Sequence, residues 1–151
     1  MSEILWQWCR FDALSQYQLY EVMQARQDVF AVEQNCVYRD ADGADQFSWH
    51  LIGRKKDELL AYCRVVDPGV KYMEVSIGRV LTTAKARGTG LGKALLAKAI
   101  TQIEKTYPAS PIRISAQHYL QRYYQGFGFN AVSRPYDEDG IWHIEMLRPV
   151  A

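Results

Sequence analysis

The segment Glu74-Val-Ser-Ile-Gly-Arg-Val-Leu-Thr-Thr-Ala-Lys-Ala-Arg87-Gly-Thr-Gly-Leu-Gly-Lys93 constrains this chain more than any other. Met73–Thr82 reads as a long strand. A short loop follows, and Gly88, Gly90 and Gly92 lead into a helix over Gly90–Tyr107 that Pro108 stops. Glycine lets a backbone curl closely around a ligand, and the first N–H groups of a helix have no partner inside it. With the helix dipole, and with Arg87 and Lys93 alongside, such a turn suits an anion, a pyrophosphate above all. Two phosphate motifs do not fit. A P-loop would need glycine where Arg87 stands and a hydroxyl where Ala94 stands. The dinucleotide fingerprint, read from Gly88 and Gly90, would need glycine at Lys93 and a strand that ends later. A glycine-rich turn without a ligand is the plain alternative.

Around this segment the chain alternates strands and helices. Ile4–Arg10 reads as a strand, and Ser15 can cap a helix with Leu19, Val22, Met23, Arg26, Val29 and Phe30 at helical spacing. Asn35 to Ser48, with Asp40, Asp42, Gly43 and Asp45, reads as a loop. Trp49–Arg54 and Leu59–Val66 form two strands joined by the polar turn Lys55–Glu58. Ile112–Ala116 is a short strand, and Tyr119–Phe127 a helix that Gly128 closes. Val132–Tyr136 and Ile141–Leu147 make a hairpin around Asp137-Glu138-Asp139-Gly140. The mixed order implies an α/β (α+β) fold, a sheet with helices packed on it. Without repeats or linkers, the 151 residues read as a single domain, 1–151.

A net charge of +1 speaks against a nucleic-acid binder that works through a broad basic surface. No apolar run reaches the ~18 residues of a membrane span, and Met1-Ser2-Glu3-Ile4 does not begin a secretory signal. Cys9, Cys36 and Cys63 are odd in number and widely spaced, which suggests neither a metal site nor a disulfide framework and fits a cytoplasmic setting.

A third phosphate pattern, [QR]-x-x-G-x-[GA], is met in full by Arg87, Gly90 and Gly92. It is the pyrophosphate loop of the GNAT acetyltransferases, and the chain resembles that family in a second place: Tyr124 stands four residues before the pair Gly128-Phe129. The run from Arg26 through Val29-Phe30, Glu33, Cys36, Tyr38, Asp40 and Asp42, with Gly78-Arg79-Val80 and the stretch Asp139 to Met146, is similar to the ElaA group of that family. The resemblance implies a mixed, mostly antiparallel sheet whose fourth and fifth strands splay apart, with about four flanking helices. It also implies an enzyme that takes acetyl-CoA as acyl donor and moves the acetyl group to a primary amine, on a small molecule or a peptide, by direct transfer in a ternary complex. A homodimer is left open. Pantetheine would lie along Val80, Leu81 and Thr82 and near Gln117, and the phosphates in the turn Arg87, Gly88, Thr89, Gly90, Leu91, Gly92 and Lys93.

Acetyl transfer needs an amine without its extra proton, a stabilised oxyanion and a proton for the leaving thiolate. Tyr124 is the candidate donor to the sulfur, since a phenol with a pKa near ~10 is protonated at neutral pH. Its plain reading is core packing beside Tyr119, Tyr123 and Phe127. A backbone N–H near Val80 or Leu81 is the candidate oxyanion donor. For a general base, Glu74, Glu33, His50 and His143 are candidates, against which stand solvated or structural readings of each and deprotonation by water. Asp40, Asp42 and Asp45 suggest a cationic acceptor or simply a turn. Arg26 and Arg79 either clamp an acceptor carboxylate or pair with these acids. Two other readings are an acyl-homoserine-lactone-synthase-like acyltransferase, which shares an Arg-x-x-Val-Phe run, and a non-catalytic acyl-CoA sensor.

Overall fold

The computed structural model describes residues 3–150; Met1, Ser2 and Ala151, at the limits of the expected domain, lie outside the described residues. Eight strands form one sheet in the order β1-β2-β3-β4-β5-β8-β6, with β7 paired to β8 at its side. They are β1 Leu5–Arg10, β2 Ser48–Lys55, β3 Glu58–Val66, β4 Val75–Thr82, β5 Ile112–Gln117, β6 Asn130–Ala131, β7 Tyr136–Glu138 and β8 Ile141–Arg148. All pairings are antiparallel except β4 with β5, which run parallel and pair only at Val75↔Ile112 and Ser76↔Arg113. Beyond those two pairs the strands part, and a V-shaped gap opens toward Thr82 and Gln117.

The helices are α1 Gln16–Arg26, α2 Leu91–Thr106 and α3 Gln121–Gln125. Ser15 starts α1 with a reciprocal cap: its Oγ accepts from the Gln18 N–H at 3.1 Å, and Gln18 Oε1 accepts from the Ser15 N–H at 3.0 Å. The α-helical spacing expected to run to Phe30 changes after Arg26, where the chain continues as a π-helix, Gln27–Glu33. A π-helix widens the turn and is often found at functional sites.

Each helix covers one face of the sheet. From α2, Leu95, Leu96, Ala99, Ile100 and Ile103 pack on Cys63, Val65, Ile77 and Ile114. From α1 and the π-helix, Val22 and Val29 pack on Ile52, Tyr62 and Leu81 of the other face. The alternation along β3, with Ala61 and Cys63 on one side and Tyr62 on the other, is the period-two rule applied to a strand buried on both faces.

Four expectations shift. The β2–β3 turn is the residue pair Lys56-Asp57, both with left-handed φ (50° and 66°), the conformation that matches the twist of a two-residue hairpin. The helix expected over Tyr119–Phe127 is shorter: a 3-10 turn His118–Leu120 precedes α3. Of the strand expected over Val132–Tyr136 only Tyr136 lies in one, β7, with β6 just before the range: Pro135 cannot donate to a ladder, and the stretch between bonds to β8 through Ser133, whose Oγ accepts from the Glu145 N–H at 2.9 Å. The final turn is the pair Asp139-Gly140 rather than four residues.

Candidate active site

The gap between β4 and β5 is a cleft of about 970 Å³. Residues Ser76–Thr82 of β4 line one side and Ile114–Gln117 of β5 the other; the π-helix, the loop after it and the β7–β8 turn close it on the far face. Its construction follows from the β4 register. Between Tyr62↔Leu81 and Arg64↔Gly78, one residue of β3, Cys63, stands opposite two of β4, Arg79 and Val80. Arg79 takes a left-handed φ of 51°, costly for a residue with a Cβ. Such a bulge re-aims backbone groups, and strain of this kind gathers at functional positions. Arg79 and Val80 therefore stand outside the ladder, while Leu81 is back in register.

Arg87 closes the mouth of the cleft, and the rest of the turn lies just beyond it. Gly88 and Gly90 have φ of 79° and 83°, and a Cβ on either would meet nothing within 4 Å, so the glycines answer a backbone need rather than a crowded one. Gly90 caps α2 without a side-chain bond, which leaves the first N–H groups of the helix, at Leu91, Gly92 and Lys93, open to an anion. Thr89 turns inward, its hydroxyl donating to the Ala86 carbonyl at 2.5 Å. Arg87 Nη2 lies 2.5 Å from Glu33 Oε1 and 3.2 Å from the Thr82 carbonyl, and Gln117 Nε2 donates to Gln34 Oε1 at 3.3 Å. Glu33 and Gln34, at the end of the π-helix, thus bridge both sides of the gap.

Tyr124 lines the cleft with a ring only 7% exposed, set edge-on to Tyr123 and Phe129. Gly128, with φ of 93°, lets the chain turn back so that the Phe129 N–H meets the Tyr124 carbonyl at 3.3 Å. That return is the physical content of the Tyr-to-Gly-Phe spacing: it packs Phe129 against the ring that faces the cleft. Burial pushes the phenol above its usual pKa, so it stays protonated, and its hydroxyl makes no hydrogen bond among the described residues.

The other candidates divide. His143 lines the cleft. Its Nδ1 lies 2.8 Å from the Ile141 carbonyl, which can only accept, so Nδ1 carries a hydrogen; its Nε2 lies 3.4 Å from Glu138 Oε2. His50 is fully buried away from the cleft, with Nδ1 at 2.7 Å from the Tyr62 hydroxyl and Nε2 at 3.0 Å from the Asp45 carbonyl. Burial, aided by Arg26 and Arg64, holds its pKa below the usual value. Glu74 lies outside the cleft, gripped by Arg113 through two bonds of 3.0 Å, and those bonds lower its pKa.

The acidic loop is used internally. Arg26, with no exposure, donates to Asp45 at 2.6 Å and to the Asp40 carbonyl at 2.9 Å; its Nε lies 3.0 Å from Asp40 Oδ2, at an angle that makes an ion contact rather than a hydrogen bond. Arg79 meets Asp40 at 3.0 Å and Asp42 at 3.3 Å, and stacks on Tyr38. Arg64, unremarked in the sequence, holds Asp42 with two bonds and Asp45 with a third. A lone arginine inside the run Leu-Leu-Ala-Tyr-Cys-Arg-Val-Val of a buried strand was the available signal, because such a charge must be paired.

Residues 15–148 match the family model described as an acetyltransferase (GNAT) domain. The chain belongs to the GNAT acetyltransferase family. It is thereby an acyltransferase, of a family whose co-substrate is an acyl-CoA. It is 47% identical to a UPF0039 protein of Synechocystis over 96% of this chain and 95% of that one, and 42% identical to protein ElaA of Escherichia coli over 97% of both. The crystal structure of that ElaA superposes with a TM-score of 0.90, covering 96% of this chain and 99% of the other. An acyl-CoA N-acyltransferase from Pseudomonas aeruginosa, 40% identical, superposes with a TM-score of 0.93 over 97% and 99%. The splayed GNAT sheet expected from the sequence is present, and among the described residues no helix is long and apolar enough to cross a membrane.

Proposed function

We propose that this GNAT protein transfers an acetyl group from acetyl-CoA to a primary amine by direct attack in a ternary complex. The observation that carries the reading is the continuity of one cleft: it runs from the anion-seeking turn at Arg87, along the β4 bulge at Arg79–Val80, past the Tyr124 hydroxyl, to His143 on the far side. Pantetheine has a wall to follow in Val80, Leu81 and Thr82, with Gln117 opposite, and the pyrophosphate has the turn Arg87–Lys93.

The amine nitrogen forms the new C–N bond at the thioester carbon. The oxyanion takes the Val80 N–H. The C–S bond then breaks with the Tyr124 hydroxyl hydrogen-bonded to the leaving sulfur; the thiolate takes its proton through that hydroxyl, and water returns a proton to the phenol in the same step, since burial disfavours the phenolate. The proton shed by the amine passes to His143 Nε2, to Glu33 or to water. The three unpaired cysteines suit a reducing cytoplasmic setting, where acyl-CoA thioesters are made.

Release of free CoA, assayed over a panel of primary amines, tests the reading, with Tyr124→Phe as its control. That change keeps the ring and removes the hydroxyl; kcat is expected to fall by about 10²-fold, the lower end of general-acid effects, with the acetyl-CoA KM little changed. No CoA release with any amine, in protein that binds CoA, would favour the sensor reading. A kcat within a factor of about two of wild type would leave Tyr124 a packing residue, since general-acid help is worth far more.

A further inference from the structure

The wall of the cleft made by the loop after the π-helix carries more positive charge than its own carboxylates use. Asp42 shows this best. Arg64 binds it at 2.8 and 2.6 Å, Lys71 Nζ and Arg79 Nη2 approach the same Oδ2 at 2.8 and 3.3 Å, and the Ala44 N–H donates to Oδ1 at 3.1 Å. Burial opposes the charge on Asp42, yet Arg64 and Lys71 hold the carboxyl far below the usual range. Asp40 is shared by Arg26, Arg79 and the Tyr38 hydroxyl, and Asp45 by Arg26 and Arg64. Three carboxylates therefore serve four cations, and Arg39 on the same wall makes no ion pair among the described residues.

The excess lies toward the cleft and not in the core. Arg26, at the core end, is fully buried, with both terminal nitrogens hydrogen-bonded and its Nε in ion contact with Asp40. Lys71 is 42% exposed with one contact for its three N–H groups, and Arg79 is 21% exposed with Nη1 unpartnered among the described residues. Across the cleft the β7–β8 turn presents the opposite sign in Glu138 and Asp139. A network that only pinned the loop would need no such surplus, and low-dielectric walls strengthen the field between them. A simple monoamine would leave the positive wall unanswered. A molecule with an amine at one end and a carboxylate at the other answers both, and the guanidinium fork suits the carboxylate.

Resting on the acyl-transfer reading above, we propose that the acceptor is an amino carboxylate, its carboxylate received by Lys71, Arg79 and Arg39 and its amine directed toward the Glu138–His143 side. The test uses products, so it does not depend on turnover. N-acetyl derivatives of straight-chain ω-amino acids with one to five methylenes, and their primary carboxamides, are titrated into the CoA-saturated protein by calorimetry. At least one carboxylate is expected to bind about tenfold or more tighter than its amide, the scale of a hydrogen-bonded charge. That preference is lost in Arg39→Gln/Lys71→Gln, whose two sites are exposed, and restored when position 71 carries arginine instead. Equal affinities within every pair, a preference that survives in the double variant, or tighter binding of matching phosphonates would each overturn the proposal. CoA affinity in the same samples separates the two ideas: without CoA binding the acyl-transfer reading fails, whereas intact CoA binding with no carboxylate preference sinks this inference alone.

Discussion

The two ends of the cleft are built from different materials. At the Arg87 end the distinctive groups are backbone: the N–H groups of Leu91, Gly92 and Lys93 without helical partners, the left-handed Gly88 and Gly90, and the bulge at Arg79–Val80. They come from one continuous stretch, Arg79 to Lys93. At the Asp42 end the groups are side chains from four segments, Arg26 on α1, Asp40, Asp42 and Asp45 in the loop, Arg64 on β3 and Arg79 on β4. A backbone arrangement is fixed by local conformation. A side-chain network is fixed only by the packing of distant elements, and it can be retuned one residue at a time. Under the proposed function the first would take the acyl-CoA and the second the acceptor.

The comparison breaks most sharply at Arg26. Arg26→Ala removes the one fully buried cation from Asp40 and Asp45, leaving them to Arg79 and Arg64, and the broken buried contacts cost about 3 kcal/mol, the lower end for a buried pair. Urea denaturation should show that loss, while CoA affinity of the folded fraction stays unchanged. A variant of wild-type stability would mean that the network is dispensable. Gly90→Asp is the converse. A Cβ there meets nothing within 4 Å, and an aspartate at φ 83° strains the turn by only about 1–2 kcal/mol, so the chain still folds; a carboxylate at the start of α2 opposes a phosphate there, and CoA affinity by calorimetry should drop by about 10²-fold, the worth of one or two charged hydrogen bonds. Undiminished affinity in the folded variant would remove the phosphate site.

His50 supplies a smaller test of the side-chain end. Burial keeps its folded pKa below the unfolded value of about 6.5, so the unfolded chain takes up the proton first. Stability is then full above about pH 6.5 and declines as the pH falls below it, by at most about 1.4 kcal/mol per unit. Asp42 and Asp45, whose folded pKa values are lowered despite their burial, lose their contribution only at more acid pH, below about 4. Melting temperature followed from pH 7.5 to 5 should therefore slope downward; a flat profile would contradict a neutral His50. The smallest effect belongs to the join between the two ends. Glu33 occupies Arg87 at 2.5 Å in a pair that is exposed on both sides. Exposed pairs are worth about 0.2–1 kcal/mol, so Glu33→Gln, by releasing Arg87 to the pyrophosphate, should tighten CoA binding by about two- to fivefold. Weaker binding in that variant would show that Glu33 assists the arginine instead of competing with it.

Much of the Arg87 end was legible in the sequence because its causes are local. Glycines at fixed spacing after a strand, Ser15 with Gln18, and Tyr124 before Gly128-Phe129 each act within a few residues of themselves. The Asp42 end was not, because pairing partners are set by the sheet. Which of the carboxylates Arg26 would meet depends on α1 lying over β3, and Arg79 reaches Asp40 only because β4 bulges at that point. His50 and Glu74 had the right chemistry as bases; their placement, one in the core and one gripped by Arg113, is a matter of register that no spacing encodes.

By itself, then, the sequence determined the order of strands and helices, the turn at Arg87–Lys93 and the tyrosine on the last helix, since these depend on short-range conformational preference and on the period of apolar residues. The tertiary structure decided where β4 and β5 part, where β4 bulges, and how three carboxylates share four cations beside a fifth, Arg39, that has no ion pair among the described residues. Those are long-range matters: an ion pair between residues thirty-nine positions apart, such as Arg79 with Asp40, exists only once the whole sheet has brought its ends together.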